Sequence, residues 1–155
     1  MYVSMLFFAV FIGFSMGTAP IVSYNYGAKN QNELKSIRKK SLVIISIASI
    51  FTFIASILLA RPLATLFVGY NQTLSDLTVR AFNFYSFTFL FAGLAIYGSS
   101  FFTALNNGFV SALISFLRVA VFQVLSVLIL PLIFKTDGIW VSCVVGEFFA
   151  FVISI

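Results

Sequence analysis

By residue type, Glu147 and Arg118 are the positions best suited to chemistry in this chain, and both stand inside long apolar runs. A charge at the centre of a membrane span costs about 2.5–3.5 kcal/mol on an insertion scale, so each needs a reason to be there. Two readings of Glu147 stand side by side. It faces a cavity and meets a substrate cation or a proton, or it is a carboxyl protonated or hydrogen-bonded between helices. Arg118 either has a structural role, linking to backbone carbonyls or snorkelling toward the cytoplasm, or meets substrate. Gln123 adds an amide to the run that holds Arg118. The sequence has no histidine, which removes the usual zinc sites and every histidine-dependent triad or proton relay. Its single cysteine, Cys143, lies in an apolar run. One cysteine builds no disulfide framework and reads as a small buried hydrophobe. With no nucleophile constellation and no paired carboxylates, no enzyme and no metal site is expected.

The elements that must position these residues follow from composition. Of 155 residues, 61% are hydrophobic and 8% are charged. A soluble domain carries about a quarter charged residues, so this chain cannot clothe a water-facing surface. An all-α integral membrane protein is expected. The net charge of +5 is concentrated in residues 28–40, where Lys29, Lys35, Arg38, Lys39 and Lys40 follow one another. Basic residues close to membrane helices resist translocation, which puts this loop in the cytoplasm. There it would touch anionic lipid rather than nucleic acid.

Five spans are expected, over residues 2–26, 41–60, 77–105, 109–134 and 139–155. The N-terminal run lacks the positive start and small-residue cleavage site of a signal peptide, so it is read as a helix that stays. Pro20 frees a carbonyl near Met16 and is expected to kink this helix. Gly13 and Gly17 have the spacing for close helix packing, so the bend serves either function or packing alone. Gly27 is expected to end the helix in the left-handed conformation. Asn30 or Asn32 would then cap a short surface helix over residues 33–40. Ser46, Ser49, Thr52 and Ser56 are small polar residues of the kind used between packed membrane helices. The second span is expected to stop at Arg61 and Pro62. Residues 63–68 would lie at the outer interface, with a turn at 69–71 and Ser75 capping the next helix. The third span is dense in aromatics, with Gly93 and Gly98 giving it a slim middle. Turns at 106–108 and 135–138 join the third, fourth and fifth spans. Arg80 and Asp76 are expected to be solvated near the outer surface. An odd number of spans, the last without a polar tail, suggests a piece of a longer polytopic protein.

Three stretches carry a family resemblance. They are Gly17, Thr18, Ala19, Pro20 with Tyr24, Asn25, Tyr26, Gly27, Ala28 and Lys29; the run SSFFTALNNG at 99–108 with Ser115, Phe116, Leu117 and Arg118; and Asp137, Gly138, Ile139, Trp140. In order and spacing they resemble the last five helices of the twelve-helix multidrug and toxic compound extrusion (MATE) transporters. The resemblance covers nearly all of this chain and under half of such a transporter. It implies two six-helix lobes that rock about a central cavity and export drugs against an inward flow of Na⁺ or H⁺. This chain would be helices eight to twelve, with helix seven and the N-terminal lobe missing. Some members hold a cation in this lobe with acids in helix seven and midway along helix ten. The matching stretch here, residues 92–96, has no acid, a departure that argues against that ion site.

On this reading Glu147, Tyr97 and Gln123 are substrate or proton candidates, and Pro20, Arg118, Gly17 and Gly27 are structural or gating candidates. A cation exporter gains nothing from a buried positive charge, which favours the structural role for Arg118. Tyr97, beside Gly98 and Ser99, is the aromatic expected to face the cavity. The other rings are expected to face lipid, although a cation–π role is open to them. Partners would be small cationic organic substrates, membrane lipids and the missing N-terminal lobe, with no cofactor beyond the coupling ion and no nucleic acid. A bacterial plasma membrane is the expected location. Rival functions are a lipid-linked oligosaccharide flippase of the same superfamily and a non-transporting scaffold subunit.

Depth separates the two buried charges. A hairpin about residues 135–138 puts Glu147 level with Ser126 and Arg118 level with Ile155, about 12 Å apart at 1.5 Å per residue. No salt bridge is then expected. Glu147 would lie near Gln123 and Ser126. Arg118, level with Ile96 and Tyr97 about the turn at Asn107, would hold Tyr97 and the carbonyl freed by Pro20 in the first helix.

Overall fold

A chain with so little charge can satisfy its backbone within a membrane only by closing each hydrogen bond inside a helix. The computed structural model describes residues 2–134 and 136–154. Its helices are α1 (Tyr2–Gly27), α2 (Gln31–Val68), α3 (Gln72–Ala104), α4 (Gly108–Phe116), a π-helical segment (Leu117–Gln123), α5 (Val124–Phe134) and α6 (Thr136–Ser154). α4, the π-helical segment and α5 run on as one rod. Five stretches are therefore long and apolar enough to cross a membrane, as the composition requires. The chain is an all-α membrane bundle.

α3 is the axis of the bundle and packs on α1, α2, α4 and α6. α2 meets it with a stripe of buried residues that recur every three or four positions, Ser41, Ile45, Ser49, Thr52, Ser56, Ala60 and Ala64, all but Ile45 small. Small side chains let two backbones approach closely, and the Ser56 and Ser86 hydroxyls hydrogen-bond across the contact at 2.7 Å. α1 meets α3 with aromatic rings: Phe7 stands edge-on to Phe89, and Phe14 lies tilted against Tyr97. Phe11, Ile45, Phe89 and Tyr97 form the closed core of this contact. So part of the aromatic content fills the interior rather than facing lipid.

Three expected boundaries are corrected. α2 does not stop at Arg61 and Pro62, and no separate surface helix precedes it; it is one helix of 38 residues. Pro62 leaves one carbonyl without its helical donor. The packed stripe continues past it through Ala60 and Ala64, both 1% exposed, and this contact carries the helix onward. α3 begins earlier than expected, capped by Asn71, whose side chain accepts from the Leu74 N–H, rather than by Ser75. Gly27 ends α1 without a positive φ; Lys29 takes the left-handed conformation instead, at φ 54°. Asn30 then caps α2 by accepting from the Glu33 N–H, one of the two caps expected. Pro20 lies inside an α1 that is helical without a break. A Cβ added at Gly13 or Gly17 would meet nothing within 4 Å among the described residues, so the close packing expected of them is not made within this chain. Of the 135–138 turn, Lys135 lies outside the described residues, and α6 has already begun at Thr136.

Candidate functional site

α1 packs on α2 and α3 and stands clear of the π-helical segment, α5 and α6 among the described residues. This leaves a cleft of about 630 Å³ with α3 as its floor, α1 as one wall and the α4 rod with α6 as the other. Phe8 and Ile12 face it from α1, Tyr85, Thr88 and Ile96 from α3, and Cys143 and Glu147 from α6. The cleft is polar along its α3–α4 side. Ser99 bonds Ser111 at 3.0 Å and Ser115 at 2.9 Å, and Thr103 bonds Ser111 at 2.6 Å. The turn at Asn106, with φ 58°, sets this pairing. Residues equally far from Asn107 on the two arms of the hairpin lie level, so Ser99 meets Ser115 and Thr103 meets Ser111. The same count puts Arg118 level with Ile96, as expected.

Arg118 and Gln123 both lie in the π-helical segment. A π turn holds an extra residue, which widens the helix and rises less per residue, and such segments recur at functional sites. Gly146 faces this segment: a Cβ there would lie 3.4 Å from the Gln123 Cα. α6 therefore lies in van der Waals contact with the rod one residue from Glu147.

Across this contact Arg118 donates twice to one carboxylate oxygen. Its Nε lies 3.0 Å and its Nη2 2.7 Å from Glu147 Oε1. The two residues therefore form a buried ion pair, with side chains 20% and 6% exposed. This overturns the expectation that they stand too far apart. The cause is register. The hairpin closes tighter than four loop residues would allow, because Gly138 sits directly on the backbone of Leu130 and Pro131. Glu147 is consequently level with about Phe122, not Ser126, and Gly146 rests on Gln123. Four residues of depth then separate the pair, about 6 Å even at the α-helical rise, and an extended arginine spans that. Ile155, the residue expected level with Arg118, lies outside the described residues.

With Oε1 engaged, Glu147 Oε2 is buried and has no hydrogen-bond partner among the described residues. So is the Thr88 hydroxyl, which also faces the cleft. Gln123 shares the cleft, but its amide lies 3.9 Å from Cys143 Sγ rather than on Glu147. Ser126 is buried away from it.

Tyr97 does not face this cleft. It is 2% exposed, in the core made with α1 and α2, and borders a second crevice near Arg38 and Ser154. The expected bonds from Arg118 to Tyr97 and to the α1 backbone are not made, since α1 does not pack against the π-helical segment. Gly17, Pro20 and Gly27 lie on α1, outside the residues that line the cleft. Sequence reading missed the hydroxyl cluster, whose signal was four hydroxyl residues placed symmetrically about the 106–108 turn. It also missed that Arg80 pairs with Asp137, tying α3 to the start of α6 at the other end of the bundle.

Among known proteins, the family model described as MatE matches residues 1–129. No curated protein and no solved structure matches the chain.

Proposed function

The chain belongs to the MatE family, and from that premise we propose that it is part of a secondary transporter that exports cationic or amphipathic organic compounds by antiport with Na⁺ or H⁺. The observation that carries this reading is the Arg118–Glu147 pair in a polar cleft, with one carboxylate oxygen left without a hydrogen-bond partner among the described residues. Two opposite charges leave the cleft near neutrality. A substrate cation entering it meets Oε2 and competes with Arg118 for Glu147. A proton on Glu147, or a metal cation held by it, removes the attraction for both.

One carboxylate cannot satisfy substrate and coupling ion together. Their binding is therefore mutually unfavourable, and by linkage each lowers the affinity of the other equally. Exclusion of this kind is what antiport needs. The hydroxyls of Ser99, Ser115 and Thr103 offer neutral partners along the cleft. Phe8 and Tyr85 offer ring faces to a flat organic cation.

The reading is tested in vesicles containing the native protein, with a fluorescent organic cation and an imposed Na⁺ or pH gradient. The cation is expected to move against its own gradient under one of the two. No gradient-dependent movement under either ion overturns the proposal. Orientation is checked separately, with residues 28–40 proposed to be cytoplasmic in a bacterial plasma membrane. In a Cys143→Ser background, an impermeant thiol reagent outside intact cells should modify Gln72→Cys and spare Ser36→Cys. The opposite pattern reverses the topology.

A further inference from the structure

A second crevice, of about 270 Å³, lies between α2, α3 and α6 at the end of the bundle that carries the basic residues. Arg38 stands at its mouth, and Leu42, Leu94, Phe101 and Leu105 line it. Lys35, Lys39 and Lys40 share this end of α2, where Glu33 is the one acid within residues 28–40. Arg38 lies three residues outside the apolar run that begins at Ser41. The crevice therefore has a cationic rim at headgroup level and an apolar interior.

Its depth fits the same occupant. From Leu105, the cap of α3, to Leu94 is about 16 Å along the helix, close to the hydrocarbon depth of one leaflet, about 15 Å. The wall on the α6 side is shaped by Gly98, where a Cβ would lie 2.7 Å from that of Ser154. Tyr97, 2% exposed, forms part of the wall between Phe101 and Leu94, and Leu94 reaches the inner end.

We propose that this crevice binds an anionic phospholipid, with the phosphate on Arg38 and one acyl chain along Leu42, Leu94 and Phe101. A soluble phosphate would gain nothing from the apolar lining. A zwitterionic lipid would gain little from the cationic rim, whereas an anionic one gains at both. The proposal needs the chain to be embedded in a membrane and is independent of what the polar cleft transports.

The test uses the purified native protein in detergent, titrated with phosphatidylglycerol or phosphatidylcholine of the same acyl chains, with bound lipid counted by native mass spectrometry. The protein is expected to retain phosphatidylglycerol about fivefold better, the preference that one basic residue at a membrane surface supplies. Arg38→Gln, at the mouth of the crevice, should abolish that preference, and Lys40→Gln should leave it. Leu94→Trp should lower retention of both lipids by filling the crevice. Equal retention of the two lipids by the unaltered protein overturns the proposal. So does an equal loss in Arg38→Gln and Lys40→Gln, which would make the attraction a diffuse field, or full retention by Leu94→Trp.

Discussion

Glu147→Gln in the native protein is expected to abolish gradient-driven export, and adding Arg118→Met is expected to restore the fold without restoring transport. The single substitution leaves the Arg118 guanidinium, on a side chain 20% exposed, without its counter-charge. Losing one partner of a buried pair costs about 3–5 kcal/mol, because the surviving charge stays desolvated. Removing both charges is often neutral or stabilising, since neither desolvation penalty remains. The melting temperature in detergent should therefore fall in Glu147→Gln and in Arg118→Met, and recover in the double variant. Export in vesicles should be lost in Glu147→Gln and in the double variant alike. Normal export by the double variant would make the pair a structural fastening only.

Gly93→Val should be strongly damaging where α3 meets α1 and α2. A Cβ at position 93 would lie 2.5 Å from the Ser49 hydroxyl and 2.9 Å from the Phe11 ring. Phe11 is fully buried and cannot swing aside, so the clash must separate α3 from α1 and α2 together. Overpacking of this kind costs about 1–3 kcal/mol, and valine adds two methyl groups beyond the clashing atom. A melting temperature lowered well below that of the unaltered protein is expected. Gly13→Val serves as the comparison, because open space surrounds that position among the described residues. If Gly93→Val melts like the unaltered protein, the close approach of α3 to its neighbours is wrong. A large loss at Gly13 would instead report a packing partner outside these residues.

Much of the fold was legible because the membrane permits so few alternatives. Apolar length gave all five spans, and the small residues Ser49, Thr52 and Ser56 marked the buried stripe of α2. The slim middle of α3 was readable from Gly93 and Gly98, each of which now faces a close neighbour. Helix ends were harder to read. Pro62 is a strong local stop signal, and it lost to the packing of Ala60 and Ala64, which no local rule can weigh.

The site was half legible. Two charges inside apolar runs announced themselves by their cost, and the 106–108 turn sets the register of the two helices it joins, as the Ser99–Ser115 bond shows. The pairing was missed because a count of loop residues at 135–138 assumed an open turn. Gly138 lets α6 close on the rod instead, and the π-helical segment departs from the α-helical rise per residue. Tyr97 was misplaced for a related reason. Its neighbours on α3 set its depth, but only the packing of α1 shows that its side of the helix is the closed one.

Competition between Arg118 and a substrate cation for the Glu147 carboxylate is central to this account. Equilibrium binding of a fluorescent organic cation to the native protein, to Arg118→Met and to Glu147→Gln tests it most directly, at alkaline pH so that the carboxyl carries its charge. Removing the competitor should tighten binding in Arg118→Met by about tenfold or more, the worth of a charged hydrogen-bonded contact, while Glu147→Gln should bind no dye. Binding weakened in Arg118→Met as much as in Glu147→Gln would contradict the account, because the arginine would then be holding the site together rather than competing for it.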